Sequence, residues 1–368
     1  MTATPNAPER IAVLGTGLLG TSIAMAAARV GYAVTGWDPD IGALETAAKR
    51  SGLDAAATLE DAVRDAVVVV VCAPIPAIPD LVTACLSSAP SAVVTDVGSI
   101  KAEVIASVLE RSAPTDAPRF VGGHPMGGSE RSGPDHASAS VVDDIVWVLT
   151  PHPGSDGPAV DRLTSFVEGI GGRPVLMQAE RHDRLVAFVS HLPQVASTAL
   201  MELAATEEAG EPEILLLAAG GFRDLTRLAS SNPSLWSDIL LANREQIAEA
   251  IDLYIERLAS LRRLVVEGRG EEVEETFDRA KQARLRLAAK PQVRAGVAVV
   301  QVQVPDRPGA LAHLTAVLGE GDVNIEDLQI VHSPEGGRGT VYLTVAASSA
   351  AGAGRILRAQ GFDPIRLA

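Results

Sequence analysis

Two hydrophobic rhythms divide the chain. Between residues 10 and 150, short Val-rich runs at 11–14, 33–36, 67–72, 93–96, 120–122 and 145–149 alternate with Ala-rich stretches of helical periodicity. Strands alternating with helices predict an α/β, Rossmann-like doubly wound domain around a parallel sheet. A further helix and a strand at 174–177 close that domain, which is placed at 1–178. From 179 to 289 no strand-like segment occurs. Leu185, Val186, Phe188, Val189 and Leu192, and later Ile239, Leu240, Ile247, Ile251, Leu253, Tyr254 and Leu258, recur at helical spacing. An all-helical domain over 179–290 is therefore expected, with one long helix at 235–267. That helix carries more apolar positions than one face of a small domain uses, which suggests a homodimer interface. After a linker at 290–296, strands at 297–304, 323–331, 340–345 and 364–367 and helices at 310–318 and 350–359 give a βαββαβ order. That order suits a small ferredoxin-like domain over 297–368.

Composition narrows the classes. The chain has 368 residues, is 47% hydrophobic and 21% charged, and carries a net charge of −15. A phosphate backbone needs a basic surface, so nucleic acid is not an expected partner. An anionic substrate would need locally placed Arg or His. The apolar runs are too short to span a bilayer, and residues 1–10 show no apolar signal core. Cys72, read as the end of a strand, and Cys85, read within a helix, have no metal-ligand spacing around them, so no metal is expected. Such cysteine usage fits a cytoplasmic protein.

Three constellations carry chemistry. Gly15-Thr16-Gly17-Leu18-Leu19-Gly20 follows a strand and opens a helix, the arrangement that gives a tight turn, close approach to a pyrophosphate and tight helix packing. Asp38 ends the next strand, where a carboxylate bonds a ribose 2′-hydroxyl and repels a 2′-phosphate, so NAD is the expected cofactor. A glycine turn without a ligand is the plainer alternative. Second, Asp96-Val97-Gly98-Ser99-Ile100-Lys101 follows a strand whose carboxyl end faces the ligand crevice. Ser99 can bond a ligand there, or cap the next helix. Third, Gly122-Gly123-His124-Pro125-Met126-Gly127-Gly128-Ser129-Glu130 reads as a Gly-rich loop placing a titratable His beside a Ser and a Glu. Glycines there would let backbone approach a ligand.

Further along, His191 precedes Pro193, which should kink or interrupt its helix and aim polar groups at a cavity. A buried His satisfied by a backbone carbonyl is the alternative. The segment 220–227 with Trp236 brings together Asp224, Arg227 and an aromatic ring. Arg227 could clamp a substrate carboxylate, or pair with Asp224 along a helix.

These motifs, together with Ser190-His191-Leu192-Pro193-Gln194, resemble the prephenate/arogenate dehydrogenase family of tyrosine biosynthesis over residues 10–290. Asp306-Arg307-Pro308-Gly309 followed by Asn324-Ile325 resembles an ACT domain. The resemblance implies NAD-dependent oxidative decarboxylation of prephenate to 4-hydroxyphenylpyruvate, or of arogenate to tyrosine. It implies His124 as the base at the ring hydroxyl, with Ser99 and Glu130 beside it, and Arg227 at the ring carboxylate. Asp224, His191, Trp236 and position 194 support the substrate. Many members have His at that last position, whereas this chain has Gln194, a neutral amide. The ACT resemblance implies an amino-acid effector, with tyrosine expected, held by Asp306, Pro308, Gly309, Asn324 and Ile325. A dimerisation module without a ligand is the plainer alternative.

Two other functions fit part of the pattern. One is a different NAD-dependent dehydrogenase with an ACT tail, of the 3-phosphoglycerate type. Such enzymes usually insert the cofactor domain inside the substrate domain, whereas here the fingerprint opens at Gly15. The other is a non-catalytic regulator that senses NAD and an amino acid.

Overall fold

A computed structural model describes residues 8–127, 133–211, 213–289, 297–332, 338–346 and 349–367. It divides into two units, 1–257 and 258–368. The first begins with β1 (Arg10–Leu14), α1 (Leu18–Arg29), β2 (Ala33–Trp37), α2 (Ile41–Ser51), β3 (Asp54–Ala55), α3 (Leu59–Val63), β4 (Ala66–Val71), α4 (Ile78–Ser88) and β5 (Val93–Asp96). These strands form a parallel sheet in the order β3-β2-β1-β4-β5. The strand sequences are almost continuously apolar because both faces are covered. Alternate residues of β1 serve different cores. Ala12 and Leu14 pack with α3, α4 and the helix α5 (Ala102–Arg111), while Ile11 and Val13 pack with α1 and α2.

Beyond α5 the sheet does not simply continue. β6 (Gly122–Pro125) runs antiparallel to β7 (Val146–Thr150), and β8 (Arg173–Leu176), reached through α6 (Gly157–Gly169), runs parallel to β7. One parallel bridge, Val94 to Phe120, links this three-stranded sheet to β5. The strand expected at 120–122 therefore lies further on, and it includes His124, which was read as a loop residue. Gly122 and Gly123 fit tightly against the protein itself. A Cβ on Gly122 would lie 2.5 Å from Thr150 Oγ1, and one on Gly123 would lie 2.6 Å from the Asp96 carbonyl oxygen. Their absent side chains serve core packing rather than a ligand. Cys72 lies just past β4 and is half-buried, whereas Cys85 is buried in α4.

The helical part follows with α7 (Ala179–Val186), α8 (Leu192–Glu207), α9 (Glu213–Leu216), α10 (Gly220–Thr226), α11 (Pro233–Ala242), α12 (Arg244–Val266) and α13 (Gly270–Ala289). No strand occurs there among the described residues. The single helix expected at 235–267 is two, broken at Asn243, whose side chain is drawn into the site described below. Pro193 does not interrupt its helix. It cannot donate to the carbonyl four residues back, and the ladder widens into a π turn, Ala187–His191, in which Leu192 N–H bonds the Ala187 carbonyl.

In the second unit, β9 (Val297–Pro305), α14 (Ala310–Glu320), β10 (Ile325–His332), β11 (Arg338–Ala346), α15 (Ala350–Ala359) and β12 (Pro364–Leu367) build an antiparallel sheet in the order β10-β11-β9-β12. Val300, Val302, Leu314, Leu318, Leu343 and Leu357 form its own core. This is the expected ferredoxin-like module.

Candidate active site

The glycine turn has the shape a dinucleotide requires. Gly15 has φ +92°, and a Cβ there would lie 2.1 Å from the Cys72 carbonyl oxygen. A Cβ on Gly20 would lie 1.9 Å from the Gly15 carbonyl oxygen. Gly17 differs: nothing lies within 4 Å of its missing Cβ, and it caps α1 without any side-chain bond. Two glycines thus close the turn and one leaves it open at the amino end of α1, where Leu18 and Leu19 begin the helix. N–H groups there lack helical partners and carry the positive end of the dipole. Asp38 is tied to this turn. Its carboxylate accepts from Thr16 N–H at 2.6 Å, Thr16 Oγ1 at 3.0 Å and Asp40 N–H at 2.8 Å. The residues present fit a dinucleotide pyrophosphate with a carboxylate near its ribose.

At the carboxyl end of β5, His124 meets residues from α7. Its Nδ1 lies 2.8 Å from His182 Nε2, and His182 Nδ1 lies 2.7 Å from Asp183 Oδ1. Asp183 also accepts from the N–H groups of Lys101 at 2.9 Å and Ala102 at 2.8 Å, capping α5 from another helix. That settles the cap: Ser99 lies half-buried in the preceding turn, and α5 has no side-chain cap of its own. A carboxylate only accepts, so His182 donates from Nδ1 and its Nε2 accepts from His124 Nδ1–H. The other ring nitrogen of His124, Nε2, is then the one with a free lone pair. Among the described residues it has no hydrogen-bond partner.

Burial, then repulsion by any proton carried on His182, by the Lys101 ammonium and by any proton carried on His191, pushes the His124 pKa well below the ordinary histidine value. His124 is therefore neutral near pH 7 and able to accept a proton. His191, buried at the end of the π turn, is pushed down to about 4, chiefly by burial. Its Nδ1 lies 3.3 Å from Asn243 Nδ2, which also donates to the Asp183 carbonyl at 2.9 Å. His191 is thus satisfied by an amide side chain, not by the backbone carbonyl considered above. Trp236 packs edge-on to it, with ring centroids 6.0 Å apart.

Gln194 is buried. It donates to the Leu228 carbonyl at 2.8 Å and accepts from Ser231 Oγ at 3.3 Å. It thereby holds the 3₁₀ turn Arg227–Ser230, with exposed Arg227 at its head and exposed Asp224 just before it on α10. Glu130 lies outside the described residues, as does Ser129. In the second unit, Asp306, Pro308 and Gly309 form the turn from β9 to α14, with Asn324 and Ile325 at the start of β10. A cleft of about 630 Å³ follows that turn, lined by Arg307, Pro308, Gly309, His313 and Phe362. Asp306, Asn324 and Ile325 do not line it. No group of His, Cys, Asp and Glu suited to a metal occurs among the described residues, and no helix there is long and apolar enough to cross a membrane.

Sequence reading missed His182, Asp183, Lys101 and Asn243 as parts of this site. The His182-Asp183 pair stands in an amphipathic helix, but nothing local in the sequence tells that Asp183 caps α5.

The chain is similar to proteins of known family. Residues 23–176 match the nucleotide-binding domain of prephenate dehydrogenase, 178–279 its dimerization domain, and 298–361 the ACT domain. The prephenate dehydrogenase of Bacillus subtilis is 34% identical over 66% of this chain and 65% of its own length. The cyclohexadienyl dehydrogenase of Zymomonas mobilis is 33% identical over 78% of this chain and 98% of its own. The structure of prephenate dehydrogenase from A. aeolicus in complex with hydroxyphenyl propionate and NAD+ superposes with a TM-score of 0.71, at 26% identity, covering 77% of this chain and all of that one. A glycine turn fit for a dinucleotide, a neutral histidine at the end of the sheet and a helical domain supplying its partners all agree with these matches, and the chain belongs to the prephenate dehydrogenase family, with an ACT domain following.

Proposed function

We propose that this protein oxidises prephenate with NAD, releasing CO₂ and 4-hydroxyphenylpyruvate. The carrying observation is the Asp183–His182–His124 chain, which leaves a lone pair on His124 Nε2. NAD, when bound, supplies the hydride acceptor. His124 Nε2 takes the ring hydroxyl proton as the carbon beneath gives up hydride, so a ring carbonyl forms. The bond to the ring carboxylate then breaks and its electron pair flows to that oxygen. The oxygen recovers its proton from His124, CO₂ leaves and the ring is aromatic. His182 and Asp183 hold the tautomer and stabilise the transient imidazolium. Ser99, in the turn after β5, and Glu130 stand as further groups at the hydroxyl.

Arg227 supplies a fork for the ring carboxylate, with Asp224, Trp236, His191 and Gln194 around the substrate. Neutral His191 accepts from Asn243 at Nδ1, so Nε2–H is left to donate. Asp38 at the glycine turn favours NAD over NADP, because a carboxylate repels a 2′-phosphate. The exposed apolar side chains of Leu253, Tyr254 and Ile255 on α12 support a homodimer through the helical region. The cleft beside Pro308 and Gly309 supports an amino-acid effector, with tyrosine the expected one. The domains are placed at 1–178, 179–290 and 297–368.

Steady-state kcat/KM for prephenate and arogenate, each with NAD and NADP, tests this reading. Prephenate with NAD should give the highest value. Higher kcat/KM with arogenate would move the protein to direct tyrosine formation. NADP preference would remove the role given to Asp38, and no turnover with any pair would leave a sensor rather than an enzyme.

A further inference from the structure

Lys101 and Asp96 form an ion pair in which both side chains are wholly buried. Burying two charges is costly, and a well-packed apolar pair is often as stable. Packing alone does not account for this pair. What it touches is specific. Lys101 Nζ donates to the Gly123 carbonyl at 2.8 Å, and Gly123 N–H donates to Asp96 Oδ1 at 3.1 Å. Both peptide groups of the residue before His124 are therefore held by buried charge. Asp96 is itself fixed by Gly98 N–H at 2.9 Å.

The main chain of Lys101 closes a ring. Its N–H donates to Asp183 Oδ1, which accepts from His182 Nδ1, whose Nε2 meets His124 Nδ1. His124 is thus held by its ring from α7 and by its backbone from β5, and Lys101 is the residue at which the two supports meet. We propose that Lys101 is a positioning residue for the reaction. Paired with Asp96, it fixes the peptide before His124 and keeps His124 as an uncharged acceptor aligned on His182. Apart from Lys101 itself, the groups bearing on His124 are His182 from α7, His191 from the π turn, Asp96 through Lys101 and Asp183 through His182. The nearby ammonium disfavours a second positive charge on His124, which agrees with the direction of its pKa.

The inference rests on His124 being the base, and the test separates the two. Imidazole resonances of the full-length protein are titrated by NMR, with His124 assigned through His124→Asn, and turnover of prephenate with NAD is measured alongside. In Lys101→Met the His124 midpoint should rise by about one pH unit or more, while kcat falls at least ~10-fold and the cofactor dissociation constant stays within about twofold. A folded Lys101→Met protein whose His124 midpoint does not move overturns the proposal. If that variant does not fold, Asp96→Asn/Lys101→Met removes the two charges together. It should melt cooperatively and still lose at least ~10-fold in kcat, because the Gly123 carbonyl has lost its charged donor. A kcat within about twofold of the unaltered protein would overturn the proposal there too. Absence of turnover in the unaltered protein counts against His124 as the base and leaves the titration to decide the role of Lys101.

Discussion

His124 owes its useful tautomer to two residues adjacent to each other but distant from it in sequence. Asp183 only accepts, so the direction of every hydrogen bond back to His124 follows from that carboxylate. Replacing the ring by an amide that cannot take a proton removes the proposed base and keeps much of the shape. His124→Asn should lower kcat by ~10²-fold or more, since a general base contributes 10²–10⁴-fold, with NAD affinity nearly unchanged. A kcat within a few-fold of the parent would remove His124 from the mechanism. Arg227 stands differently, at the head of a turn that Gln194 holds. Arg227→Ala should raise the substrate KM by the ~1.5–3 kcal/mol of a lost hydrogen bond to a charged group, and Arg227→Lys should recover little because a point charge lacks the planar fork. An unchanged KM in the alanine variant would place Arg227 outside the site. His124 and Arg227 drew notice in the sequence because each sits in a glycine-marked motif. Asp183 did not, because its partners are the N–H groups of Lys101 and Ala102, and no local pattern announces a helix capped from elsewhere.

Among the elements, the sheet and the small module were readable where alternation was strong. The helix expected at 350–359 and the strand at 364–367 fall where they are found. The departures have polar causes. Asn243 breaks the expected long helix because its amide bonds the Asp183 carbonyl and faces His191, and periodicity counts apolar positions only. Pro193 widens its helix because its nitrogen has no hydrogen to donate and the ladder shifts by one. The π turn delivers His191 into a buried setting, and that has a pH consequence. Its folded value is about 4 against about 6.5 in an unfolded chain. Between those values the unfolded chain binds the proton first, so stability is full above about pH 6.5 and declines as pH falls toward 4. His124 adds in the same direction. The His191 contribution is on the order of 2–3 kcal/mol. Urea unfolding at pH 7.5 and 4.5 should show the loss, and His191→Asn should reduce the difference. An equal difference in that variant would assign acid sensitivity to other groups.

For the whole molecule, each hydrophobic core is built within one unit. Two clusters cover the faces of the parallel sheet, a small one lies among the helices around Ala187 and Ile247, and the fourth is confined to the ACT module. The module has a core of its own, so its removal takes none of the described side chains out of the three dehydrogenase clusters. A ligand bound there changes catalysis only if it binds two arrangements of the protein with different affinity. The competing account is inhibition at the active site, where tyrosine resembles the product and Arg227 and His191 would receive it. Deleting 291–368 separates them. With the effector in the ACT module, the shortened protein should keep its kcat within a few-fold and lose sensitivity to tyrosine. With tyrosine acting as a product analogue, inhibition should persist at the same potency and remain competitive with prephenate. Direct binding to the isolated dehydrogenase part, read by calorimetry with NAD present, adds a measurement independent of rate. Heat of binding that persists after the deletion, together with unchanged inhibition, would take the regulatory site out of the module and leave the cleft beside Pro308 and Gly309 without the role proposed for it.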